Sequence, residues 1–131
     1  MEKETQDKAR TALIEKYQQR AFECLALYNY YGRQYKAMDD QCKEYENRIK
    51  SFEVQIAEVR SLPDHHTKEN RQKISAFEKD IADYTKRIKG IGEAAKPIFE
   101  KSAGYREEGV RCLEIIEDFK AFSMKTSEEI E

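Results

Sequence analysis

Apolar and aromatic residues recur every three or four residues through the first half of this chain, over seven heptads without interruption. All 14 positions selected by this alternation are apolar or aromatic. A repeat of this kind is typical of a coiled coil, because it keeps one side of a helix facing a partner helix. The positions are Ile14, Tyr17, Ala21, Cys24, Tyr28, Tyr31, Tyr35, Met38, Cys42, Tyr45, Ile49, Phe52, Ile56 and Val59.

A second heptad repeat of the same length follows in the other half of the chain. Twelve of its 14 positions are apolar or aromatic, and the exceptions are Ser102 and Gly109. The positions are Ile74, Phe77, Ile81, Tyr84, Ile88, Ile91, Ala95, Ile98, Ser102, Tyr105, Gly109, Cys112, Ile116 and Phe119. In both repeats the first position is heptad position a and the second is d. The two repeats predict two helices of nearly equal length.

One strong turn signal separates the two repeats. Pro63 cannot lie inside a helix without loss of a backbone hydrogen bond, and Ser61, Asp64 and Thr67 are all suitable helix N-caps. A single short connection between two helices of equal length favours an antiparallel pair.

We therefore predict an all-α fold, in which one domain forms a long antiparallel coiled-coil helical hairpin. Its predicted extent is residues 1–131, with a first arm at about 4–60, a loop at about 61–66, a second arm at about 67–128 and a bend at about 90–97. The alternative is a compact four-helix bundle with turns near Gly32 and Gly90–Pro97. The heptad phase continues unshifted through those positions, which favours the hairpin.

The hairpin has one simple register, in which the numbers of facing residues sum to about 133. Large residues then meet small ones, as close packing requires. Cys24 faces Gly109, Tyr31 faces Ser102, Met38 faces Ala95, and Gly32 lies near Phe99 outside the core positions. Two like-charged pairs, Arg48 with Arg87 and Glu53 with Glu78, count mildly against this register.

Composition excludes several other classes of protein. The 26 acidic and 24 basic residues are interspersed, giving a formal net charge of −2, which is not the pattern of a disordered polyelectrolyte. Five glycines and two prolines are too few for the turns of a β-sandwich. No apolar run reaches the roughly 18 residues of a membrane span. Three cysteines without a Cys-x-x-Cys spacing suit reduced thiols, so we expect a cytoplasmic protein.

The residues that could carry chemistry do not form a recognisable site. His65 and His66 are adjacent, so they cannot share a helical face as a metal pair does. All three cysteines occupy core positions, where a thiol behaves as a small apolar group. We expect no enzymatic activity, no cofactor and no bound metal.

A modest excess of positive charge lies just after the turn. Residues 68–89 contain seven Lys or Arg against four acids, which is usual for the solvated face of a helix. Nucleic-acid binding is not expected, because it needs a clustered basic face. A membrane contact would be peripheral at most. A weak contact with an anionic surface would use Lys68, Arg71, Lys73, Lys79, Lys86, Arg87 and Lys89.

A second set of large apolar residues lies outside the core positions, towards the end of the hairpin that carries the termini. They are Leu13, Phe22, Leu25, Leu27, Tyr30, Phe99, Val110, Leu113, Ile115 and Phe122. A two-stranded coiled coil exposes such positions to solvent, so we predict that they form an interface. The partner is expected to be another protein or a second copy of the chain, as in a homodimer.

Two functions are consistent with these features. The first is a coiled-coil scaffold that self-associates, or docks a partner helix, through the terminal half of the hairpin. The alternative is a stalk-like rod, or a rod associated with cytoskeleton or membrane, that belongs to a larger machine and uses the loop half as its working end. The sequence contains no motif that decides between them.

Overall fold

A computed structural model describes the backbone of residues 2–130 and the side chains of residues 2–122. Helix α1 spans Glu2–Arg60 and helix α2 spans Lys68–Ile130. The two helices pack against each other as a helical hairpin, with aromatic pairs such as Tyr17–Phe119 and Phe52–Phe77 between them. The predicted all-α hairpin is confirmed.

Both helices continue through the places where the chain could have turned. Gly32 lies inside α1, and Gly90–Pro97 lies inside α2. Pro97 occupies the outward heptad position c and is exposed. The compact four-helix bundle is therefore wrong, because it requires turns at these two places. The bend at about 90–97 stays a prediction.

The helix pair consists of two compact units. The terminal unit contains the residues up to Arg33 and those from Phe99 onwards, and the loop unit is Gln34–Ile98. Every predicted core position in both repeats is buried or half-buried except Tyr35, which is 36% exposed. The heptad repeats thus identify the core of each unit.

The terminal unit has the predicted register at its two small residues. A Cβ atom added to Gly109 would lie 3.3 Å from the Cβ of Cys24, so these residues face each other. Ser102 donates a hydrogen bond from Oγ to the carbonyl oxygen of Tyr28 at 3.2 Å. This bond satisfies the buried hydroxyl group of Ser102.

Gly32 lies beside the core of the terminal unit, at the level of Ser102. A Cβ atom on Gly32 would meet the Oγ of Ser102 at 3.8 Å, and no atom of Phe99 lies within 4 Å of that position. The heptad phase fixes which layer a residue belongs to. It does not fix the side-chain direction at a position beside the core, and the predicted proximity of Gly32 to Phe99 stays a prediction.

The loop unit is packed around aromatic rings. Tyr84 lies 5.2 Å from Tyr45 and 6.0 Å from Phe52 between ring centroids. The guanidinium carbons of Arg48 and Arg87 lie 5.6 and 5.2 Å from the centroid of the Tyr84 ring. Both guanidinium groups therefore make a favourable cation–π contact with the same ring, and the proximity of the two arginines to each other stays a prediction.

Two side-chain hydrogen bonds stabilise the connection between the helices. The Oγ1 of Thr67 accepts a hydrogen bond from the backbone N–H of Asn70 at 3.3 Å, which makes Thr67 the N-cap of α2. The side chain of Asn70 is buried and donates from Nδ2 to the carbonyl oxygen of Asp64 at 2.9 Å. Thr67 was one of three predicted caps, whereas the role of Asn70 was missed.

Candidate functional site

The ten apolar residues outside the core positions are the candidate interface, and most of them are exposed. Leu27 and Ile115 are half-buried. The exposed members are Leu13, Phe22, Leu25, Tyr30, Phe99, Val110, Leu113 and Phe122, with Phe22 the most exposed at 69%. Large apolar side chains exposed in such numbers indicate a protein-binding surface.

Four of the ten line one groove in the terminal unit, which we call the apolar groove. Its volume is about 440 Å³. Its lining residues are Gln18, Ala21, Phe22, Leu25, Tyr28, Tyr105, Arg106, Gly109, Val110 and Leu113. Ala21 and Gly109 are buried at the bottom of the groove, which is deep because these two residues are small. The exposed residues beside them are Phe22, Leu25, Val110 and Leu113.

The heptad positions explain why these residues meet. Leu25 and Leu113 occupy position e of their repeats, and Phe22 and Val110 occupy the neighbouring position b. In an antiparallel pair the e positions of the two helices lie on the same side of the core. The groove is therefore the e side of the terminal unit.

Other members of the set occupy position g, on the opposite side of the core. Leu13, Leu27, Ile115 and Phe122 belong to this group. Ile115 and Phe122 line a separate depression of about 400 Å³ together with Asp118 and Phe119. The structure thus distributes the candidate interface over two sides of the terminal unit, with the larger exposed apolar cluster in the groove.

The g side also carries an ion pair between the helices. Nε of Arg20 donates to Oε1 of Glu108 at 2.7 Å. This hydrogen bond lowers the pKa of the Glu108 carboxyl group and raises that of the Arg20 guanidinium. This pair was not predicted, although both residues occupy position g and the register brings those positions together.

Cys24, the cysteine next to the Arg20–Glu108 ion pair, has an unreactive thiol. Cys24 is fully buried, and burial raises the pKa of its thiol above the ordinary value. The thiol therefore stays protonated at neutral pH and is a poor nucleophile. Cys112 is also buried, and both are free thiols.

The seven basic residues of the possible anionic contact are all exposed along α2. Arg87 is the one that lies over the ring of Tyr84. In the loop, the rings of His65 and His66 meet edge to face at 5.3 Å. Among the described residues, no group of three or more His, Cys, Asp or Glu is placed to hold a metal ion.

No helix in the described part of the chain is long and apolar enough to cross a membrane. No protein-family model, curated protein or solved structure matches the chain. The apolar groove is the most distinctive feature on the surface of the described residues.

Proposed function

We propose that this chain is a non-enzymatic coiled-coil scaffold that binds the apolar face of another helical polypeptide in the apolar groove. The observation that carries the proposal is the cluster of four large exposed side chains around a groove of about 440 Å³. Contiguous apolar surface of this kind marks interaction sites in proteins that fold in water.

The shape of the groove supports a helical ligand. It runs between two antiparallel helices, and a further helix placed over it packs against both of them, as in a four-helix bundle. Helix-in-groove recognition relies on apolar anchors spaced three or four residues apart. Phe22 and Leu25 on α1, and Val110 and Leu113 on α2, supply the apolar walls against which such anchors would pack.

The chemistry of the lining supports binding over catalysis. Its charged residue is Arg106, and its other polar side chains are Gln18 and two tyrosines. None of these side chains is a carboxylate, a histidine or a thiol, so the groove holds no pair of nucleophile and base.

Photo-crosslinking tests this proposal. A photoreactive phenylalanine analogue replaces Phe22 in one variant and Val54 in the other, and both variants are expressed in cells that naturally make the chain. Val54 is a matched control, because it is apolar and 56% exposed but belongs to the loop unit. We expect covalent protein adducts from position 22 and few from position 54. Equal yields at the two positions, or none at position 22, would contradict the proposal.

A further inference from the structure

The exposed residues of α2 along the groove, together with Glu117 one turn beyond it, form a self-complementary pattern. Positions e and b of this stretch read Arg106, Val110, Leu113 and Glu117. If α2 of a second copy packs antiparallel on this stretch, Val110 of each copy contacts Leu113 of the other. Arg106 of each copy likewise lies opposite Glu117 of the other. An isologous two-fold interface requires this kind of self-complementarity.

From this pattern we infer that the ligand of the apolar groove is a second copy of the chain. The two copies are related by a two-fold axis that is perpendicular to the helices and crosses α2 midway between Val110 and Leu113. This inference rests on the proposed function and names its partner. The two α2 helices run antiparallel, and Arg106 of each copy pairs with Glu117 of the other.

The charges on α2 are available for this contact. Arg106 and Glu117 are both exposed. Neither takes part in an ion pair within the described side chains. A dimer with the proposed axis supplies each of them with a partner of opposite charge.

The other two-fold arrangement is disfavoured by charge. In that arrangement the two-fold axis is parallel to the helices, so α1 of one copy would pack on α2 of the other. The register of the hairpin places Glu15 at nearly the same level as Glu117, so that arrangement would bring two carboxylates together. Like charges directly opposite each other at an interface are unfavourable. The antiparallel arrangement instead brings Glu15 near the uncharged Asn29 of α1 in the second copy.

The exposed apolar area is close to what a stable dimer needs. Phe22, Leu25, Val110 and Leu113 are between 47% and 69% exposed. Taking roughly 150–200 Å² for a whole side chain, each offers about 100 Å² of apolar surface. Two copies then bury about 800 Å² through these residues alone, and the polar residues beside them bring the total to the ~1,000 Å² that is the lower limit for a specific interface.

The axis also passes close to Phe22 on α1, because residue 22 faces the stretch between Val110 and Leu113 in the register. A cysteine at this position in each copy would therefore lie near its equivalent. Under mild oxidation we expect Phe22→Cys to form a disulfide-linked dimer in high yield. Val54→Cys is the matched exposed control, and the unchanged chain with its native thiols is the blank.

Charge reversal tests the orientation independently. Arg106→Glu puts two like-charged contacts into the dimer, and we expect its Kd to rise about tenfold. Adding Glu117→Arg restores opposite charges and returns the Kd to within about threefold of the starting value. Lys79→Glu makes the same charge change in the loop unit and is expected to leave the Kd unchanged. Circular dichroism of each variant verifies that the helices remain folded.

The outcomes separate the inference from the proposed function. A dimer by light scattering, a cross-link at position 22 and rescue by the double charge reversal support the inference. A dimer without the cross-link and without the rescue overturns the antiparallel two-fold. A monomer at all concentrations overturns the second copy as the ligand. In that case adducts with a different protein at position 22 leave the proposed function standing.

Discussion

Replacement of Gly109 by leucine tests the close packing that holds the terminal unit together. A Cβ atom at Gly109 would already lie 3.3 Å from the Cβ of Cys24 and 3.9 Å from the carbonyl oxygen of Ala21. The rest of a leucine side chain would have to enter the same space. Gly104, five residues earlier on α2, is exposed and has no atom within 4 Å of its added Cβ. It offers the same substitution without a packing cost.

The magnitude follows from two effects. Replacing a glycine in a helix with leucine gains about 0.8 kcal/mol in helix propensity at either position. Overpacking a core adds a cost of about 1–3 kcal/mol, which falls on Gly109→Leu alone. The two variants should therefore differ by about 1–3 kcal/mol in the free energy of unfolding, with Gly104→Leu the more stable.

Thermal unfolding followed by circular dichroism measures this difference. For a chain of this length, 1 kcal/mol corresponds to a shift of about 3–4 °C in Tm. We expect Gly104→Leu to unfold at a higher temperature than the original chain, and Gly109→Leu to unfold about 3–12 °C below Gly104→Leu. All samples are compared at one protein concentration, because self-association makes Tm depend on concentration. Equal Tm values for the two variants would refute the tight contact with Cys24.

Two further predictions concern polar contacts. The hydrogen bond from Arg20 lowers the pKa of Glu108, so this carboxylate stabilises the fold above the ordinary glutamate pKa of about 4.3, and the contribution is lost as the pH falls through the lowered value. In urea titrations Glu108→Gln should therefore be less stable than Glu107→Gln, its exposed neighbour, at pH 7. The gap should close at low pH, and a gap that persists there would contradict this assignment. Asn70→Ala should cost about 1 kcal/mol in the same titrations by removing the bond to the carbonyl of Asp64, and an unchanged unfolding midpoint would show that this bond contributes nothing.

The fold was predictable because heptad periodicity reports directly on burial. The exceptions Ser102 and Gly109 show this best, since each small residue lies where the facing helix comes close. The register followed from matching small with large residues. Contacts beside the core were less predictable, because side-chain direction at such positions depends on local packing that the repeat does not specify. A Cβ on Gly32, for example, would meet the Oγ of Ser102.

The candidate site was predictable as a set of exposed apolar residues but not as a shape. The e and g positions of the repeats already distinguish Leu25 from Leu27, and they could have separated the groove from the opposite side. The role of Asn70 had no such signal. Its amide reaches a carbonyl six residues back, and that contact depends on the path of the loop, which has no periodicity.

The central claim is that the apolar groove is a protein interface closed by a second copy of the chain. The most direct measurement is the molar mass in solution, by light scattering coupled to size-exclusion chromatography, for the unchanged chain, Leu113→Glu and Val54→Glu. A mass of twice 15.5 kDa is predicted for the unchanged chain and for Val54→Glu, and 15.5 kDa for Leu113→Glu. A mass of 15.5 kDa for the unchanged chain, or a dimer that Leu113→Glu leaves intact, would contradict the claim.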